Sequence, residues 1–135
     1  MKQLLHIFLV SALLITTSEI AYAQQNETVY SIGNVTRKPT FQGGDANKFS
    51  AWVNSQLRYP EMAKKNNIQG RVIVQFTINE DGSVSDAKVL RGVEESLDME
   101  AVRTISLSPK WKSGYNEHGE PVKVQYTFPV IFQCR

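Results

Sequence analysis

Few side chains in this sequence have the type and spacing that catalysis requires. The histidines are His6 and His118, and the one cysteine is Cys134. One thiol excludes an intramolecular disulfide and a Cys-clustered zinc site. A nucleophile needs a base within reach, and a general acid needs a carboxylate partner in a pocket. His118 falls in a polar stretch with no cysteine nearby. Asp81, Asp86, Glu94 and Glu95 fall among loop residues, where solvated acids are the ordinary finding. Asn79 to Asp86 has the polarity of a calcium loop. It lacks the ligand count and the closing glutamate at the required spacing. The expectation is a protein without catalytic residues, metal or cofactor.

Binding is the remaining chemistry. Fifteen Lys+Arg against thirteen Asp+Glu give a formal charge of +2. That balance excludes a strongly basic phosphate-neutralising nucleic-acid binder. It also excludes an acidic disordered tail. The strongest binding feature is backbone rather than side chain. Val122 to Phe132 alternates as a long strand, with Val122, Val124, Tyr126, Phe128, Val130 and Phe132 on one face and Lys123, Gln125 and Thr127 on the other. Pro129 lies inside it and cannot donate a ladder hydrogen bond, so the strand is expected at a sheet edge. An edge leaves amides and carbonyls for another chain.

The elements that would position this edge are legible upstream. The length of 135 residues and 41% hydrophobic content suit one domain. Met1 to Gln3, the apolar run from Leu4 to Ile15 and the triplet Ala21-Tyr22-Ala23 have the order of a secretory signal, cut after Ala23. An uncleaved inner-membrane anchor is the alternative, but Leu4 to Ile20 is short of the roughly 20 apolar residues of a span. The expected location is the periplasm. Residues 24–40 read as a polar lead-in with room for one short strand, and residues 41–135 as the domain.

Asp45 is placed to cap a helix whose face carries Phe49, Trp52, Val53 and Leu57. Trp52 reads as a core anchor. Tyr59-Pro60 stops that helix, and Pro60 suits the first position of a short second one. Gly70 opens a strand with Val72, Val74, Phe76 and Ile78 inward. Gly82 suits the positive φ of a hairpin loop. The return strand, Ser83 to Arg91, changes parity between Val84 and Ala87, which predicts a bulge. Ser96 or Asp98 is expected to cap a helix burying Leu97, Ala101 and Ile105, with Val102 beside them. The expected fold is α+β: helix, short helix, strand, strand, helix, strand, with a three-stranded antiparallel sheet packed on helices. The first long strand would lie in the middle and both others would be edges.

Six pieces of this sequence in order resemble the C-terminal domain of TonB energy transducers. They are Tyr59-Pro60-Glu61-Met62-Ala63, Gly70 to Phe76, Asp81-Gly82-Ser83-Val84, Leu97 to Ala101, Pro109-Lys110-Trp111 and Gly119 to Val124. The lead-in Phe41-Gln42-Gly43-Gly44-Asp45 is similar to the form common in Bacteroidota. The resemblance implies a periplasmic interaction module in energy-dependent transmembrane transport. Its partner would be an outer-membrane transporter, or a protein with a similar extended segment, held by strand addition to the last strand. It implies that Gln56, Arg58 and Tyr59, in a Gln-x-x-Tyr-Pro segment, lie near that contact. With them stand Val122, Lys123, Val124, Gln125, Tyr126, Thr127 and Phe128. No inner-membrane helix or long Pro-rich spacer is expected in this chain, so contact with the inner-membrane energising complex would need another protein. A homodimer by strand exchange is a further expectation, and no nucleic-acid partner is expected. The competing class is a secreted inhibitor or small-ligand binder with no transport role.

Overall fold

A computed structural model describes residues 28–134. The expected signal segment therefore lies outside the described residues. No described helix is long and apolar enough to cross a membrane.

The first element of the described residues is a short strand, β1 (Val29–Ser31), followed by two helices, α1 (Ala46–Gln56) and α2 (Glu61–Lys65). Asp45 caps α1, accepting a hydrogen bond from the Asn47 N–H at 3.0 Å. Pro60 stands one position earlier than expected, as the N-cap of α2. The hairpin strands are β2 (Gly70–Ile78) and β3 (Val84–Arg91). The third helix is α3 (Glu95–Ser106), and two further strands follow, β4 (Gly114–Tyr115) and β5 (Pro121–Phe132). Neither Ser96 nor Asp98 caps α3. Glu94 does so, its carboxylate accepting from the Ser96 and Leu97 amides. Asp98 instead accepts from the Val93 N–H at 2.9 Å and fastens the preceding loop.

The alternation along β2 holds, with Val72, Val74, Phe76 and Ile78 fully buried. On the same side, β5 buries Val124, Phe128, Val130 and Phe132. Phe49 and Val53 of α1 and Leu97, Ala101 and Ile105 of α3 belong to the buried set. Phe49 is the aromatic hub. Its ring centroid lies 4.7 Å from Trp111, 4.8 Å from Phe128 and 5.1 Å from Phe41. Trp52 stacks on it at 5.9 Å, a packing role as expected.

The expectation of a three-stranded antiparallel sheet is corrected. Among the described residues the sheet has five strands and is mixed, in the order β1-β5-β2-β3, with β4 also paired to β5. β2 is central and antiparallel to both long neighbours. The additions are β4, a two-residue strand, and β1, which pairs parallel to β5. Both are too short to carry a periodic signal.

Two local features explain the shape. Gly82 takes φ +86° and lies so close to the Trp111 backbone that a Cβ would overlap the Trp111 carbonyl oxygen. The Trp111 N–H donates to the Gly82 carbonyl at 2.8 Å. The hairpin loop is thereby tied to the connector after α3. On β3, register shifts interrupt the ladder to β2 at two places, and Asp86 takes φ +54°. The expected bulge is present, together with a second irregularity near Val89 and Arg91.

Candidate functional site

The candidate site is the side of β5 that faces away from β2. The ladder between β2 and β5 runs without a shift from Gly70↔Phe132 to Ile78↔Val124, straight through Ile73↔Pro129. A proline is tolerated in such a strand where its missing N–H faces away from the ladder. Backbone groups alternate sides along an antiparallel strand. By that alternation Lys123, Gln125, Thr127 and Ile131 also turn their N–H and C=O groups to the outer side.

Part of that outer side is occupied. β1 pairs there through Val29↔Lys123, Tyr30↔Val124 and Ser31↔Gln125. β4 pairs with the two residues at the start of β5, through Gly114↔Val122 and Tyr115↔Pro121. The expectation that β5 is an edge along its whole length is therefore corrected: its first half has neighbours supplied by the chain itself. From Tyr126 onward, no described strand pairs on that side.

A groove of about 390 Å³ borders the open half. Ser50, Asn54 and Leu57 line one wall, residues 128–133 the other, and Tyr59 contributes to the lining. Tyr59 is held firmly. Its hydroxyl donates to the Ile68 carbonyl and accepts from the Cys134 thiol, whose sulfur is 3.2 Å away. Its ring meets Phe132 edge-on, with centroids 5.5 Å apart. Desolvation, together with the Cys134 contact, pushes the phenol up to about 12.

The α1–α2 connector is fixed from the other side by α3. The Arg58 N–H donates to Glu100 Oε2 at 2.6 Å. Arg103 donates to the same carboxylate, with Nε 2.6 Å from Oε1, and also to the Gln56 carbonyl at 3.4 Å. Burial raises the Glu100 pKa, but the hydrogen bonds from Arg103 and Arg58 outweigh it, so the carboxyl sits below its ordinary range.

Thus Tyr59 and Phe128, both expected at the site, meet at the groove. Gln56, at the end of α1, and Arg58, on the adjacent connector, have exposed side chains. Val122, Lys123, Val124 and Gln125 lie on the stretch flanked by β1 and β4. Tyr126 packs against Phe76 and Trp111, and burial raises its phenol pKa. Thr127 is exposed at the start of the open half. Residues not foreseen are Ser50 and Asn54 on α1, and Pro129, Ile131 and Gln133 beyond the expected stretch. One signal was available. The outward face of β5 is polar through Thr127 and then turns apolar, and Ile131 is 52% exposed.

Among the described residues, no group of three or more His, Cys, Asp or Glu side chains is placed to hold a metal. His118 is exposed, its Nε2 3.5 Å from the neighbouring Glu117 carboxylate.

The family model described as Gram-negative bacterial TonB protein C-terminal matches residues 55–134. Protein TonB of Helicobacter pylori strain J99 is 36% identical over 96 residues, covering 64% of this chain and 34% of that protein. Protein TonB of Haemophilus influenzae is 35% identical over 86 residues, covering 58% of this chain and 32% of that protein. The chain therefore spans about a third of the length of these relatives. The solution structure of the Helicobacter pylori TonB-CTD, residues 194–285, aligns with a TM-score of 0.51 at 34% identity, over 64% of this chain and 90% of that one. A longer form of the same domain, residues 179–285, gives a TM-score of 0.51 at 30% identity, over 70% and 89%. With the family model covering well over half of the chain, from the end of α1 through all of β5, this chain belongs to the TonB C-terminal family.

Proposed function

We propose that this domain is a periplasmic interaction module of the TonB system that binds the extended N-terminal segment of an outer-membrane transporter by β-strand addition. The observation that carries this reading is the open half of β5, from Tyr126 to Phe132, beside the groove under α1. An incoming strand would take its hydrogen bonds from the backbone of Thr127, Pro129 and Ile131, with the proline supplying only its carbonyl. Its side chains on the helix side would enter the groove between Leu57, Asn54 and Phe128. The inward side chains of β5 are committed to the core, so they hold the strand straight and leave recognition to the backbone and groove. The exposed guanidinium of Arg58 adds attraction for acidic positions, worth well under about 1 kcal/mol at such a site. Family membership supports the TonB-system role. Periplasmic exposure follows from the same reading, whether the leader is cleaved after Ala23 or kept as an inner-membrane anchor.

The test is calorimetric titration with a synthetic peptide. The peptide copies the N-terminal segment of a TonB-dependent transporter encoded in the same genome. Thr127→Pro removes one outward donor while sparing the core face, so affinity should fall at least tenfold with the circular dichroism spectrum unchanged. Undiminished binding by a folded Thr127→Pro variant would show that the peptide does not use this edge.

A further inference from the structure

β1 covers part of the edge that the proposed partner would use, and it is lightly held. It contributes three residues. Val29 is 45% exposed, Ser31 is exposed and Tyr30 is half-buried. Beyond its ladder to β5, the chain is fastened again after the turn that follows. Thr36 and Arg37 donate to the Tyr115 carbonyl at 3.1 Å, and Tyr115 donates back to Arg37 at 2.9 Å. Thr40 and Lys112 exchange two hydrogen bonds, and the Arg37 guanidinium lies 5.5 Å from the Tyr115 ring centroid. Between these anchors and β1 lies a turn closed by the Asn34 N–H on the Ser31 carbonyl. It contains Gly33, whose Cβ position is open space. The turn thus separates β1 from residues 36–40, which are held independently of it. Segments with few buried contacts open at low free energy.

We propose that β1 is a displaceable cover. A partner strand docks first on the open half of β5, at Thr127 and Ile131, and then displaces β1 from Lys123–Gln125. The inference rests on the strand-addition reading above and adds to it a length requirement. A segment that stops at Thr127 meets two outward N–H donors, Thr127 and Ile131. One that spans residues 123–131 also gains those of Lys123 and Gln125, but only after β1 has left. Competition from β1 reduces the apparent affinity of a segment that reaches residues 123–125 to the fraction of time that this stretch is uncovered. A segment confined to the open half meets no such competition but lacks the two extra donors. The existing parallel pairing shows that this stretch accepts a parallel strand.

A reversible lock tests the cover in the full chain. Ser31 and Gln125 are register partners on neighbouring strands and are both exposed. Neighbouring strands lie about 4.8 Å apart, within the span of a disulfide. In a Cys134→Ser background, Ser31→Cys with Gln125→Cys should bind the transporter peptide at least tenfold more weakly when oxidised than when reduced. Equal affinity in the two states overturns the proposal. Tyr30→Pro, which unhooks β1 and leaves β5 unaltered, should strengthen binding at least threefold, and unchanged affinity again counts against the cover. If no form binds the peptide, the transporter reading itself fails, and native-state amide exchange then decides the cover alone. Residues 29–31 exchanging at low denaturant, while residues 72–76 follow global unfolding, would uphold a detachable β1. Exchange of both only on global unfolding would refute it.

Discussion

β3 and β5 flank the same central strand, yet they meet the problem of an unpaired side in different ways. On β3 the outer side has no described strand partner. It is bent by two register shifts, carries Asp86 at φ +54°, and presents Asp86, Lys88 and Arg91 to solvent. Bulges and charges are the usual means of stopping edge-to-edge pairing. β5 has a regular register along nine residue pairs with β2. Its outer side is covered by β1 at residues 123–125, and its second half is regular, open and beside a groove. The difference teaches where to look for a partner strand: one edge is made unfit for pairing, and the other is kept fit and partly covered.

The predictions below probe what maintains each edge. The largest effect is expected at the root of the β3 hairpin. Gly82→Val places a β-branched side chain at positive φ and against the Trp111 carbonyl oxygen. The φ strain alone costs on the order of 1–2 kcal/mol. With the overlap added, the loss should be about 4 kcal/mol, read as a lowered urea midpoint. A midpoint close to that of the unaltered chain would mean that the hairpin is not tied to the connector in this way.

At the β5 end, Tyr59→Phe leaves the Ile68 carbonyl without its donor. A loss of about 2 kcal/mol is expected from an unsatisfied, half-buried acceptor. The groove should loosen with it, so peptide affinity should fall while β3 amide shifts stay constant. Chemical denaturation and titration of the same sample separate the two effects.

The alkaline response has a defined direction. The Tyr59 phenol is raised from 10.0 to about 12, so the fold favours its protonated form. That contribution is complete below pH 10 and is lost as pH rises through about 12. Stability followed by fluorescence should fall across this window, and Tyr59→Phe should remove this part of the dependence. The acid side runs the other way. Glu100 lies below its ordinary 4.5, so its contribution is present above that value and is lost as pH falls beneath it.

The smallest effect on stability, within about 0.5 kcal/mol, is expected from Lys88→Val with Arg91→Val on the solvent side of β3. Its consequence should be association. Removing the charges takes away one of the two devices that blunt this edge, and sedimentation velocity should reveal a concentration-dependent larger species. A strictly monomeric variant would assign the protection to the bulges alone.

The parts of this architecture legible in advance are those with local periodicity. Val72 to Ile78 alternates strictly, and Phe49, Trp52, Val53 and Leu57 recur at helical spacing, so β2 and α1 follow from side-chain pattern. Pro129 pointed to the exposed side of β5 because its missing donor is a local property. The cover of that side was not legible. β1 is three residues long and pairs with a strand more than 90 positions away, which leaves no local trace. The cap of α3 was misplaced because Ser96 and Asp98 have the commoner capping side chains, whereas the longer carboxylate of Glu94 reaches the same amides. The groove was half legible. Tyr59 and Phe128 were expected, but Ser50 and Asn54 lie on the polar side of α1, where nothing in their spacing marks them.

The central claim is that a partner strand adds to β5 and not to β3. Amide hydrogen exchange on the labelled chain, with and without the transporter peptide, tests it most directly. The account predicts that Thr127 and Ile131 gain protection on binding while the amides of Val84–Arg91 are unchanged. Protection appearing along β3, or on neither edge of a complex that demonstrably forms, would contradict it.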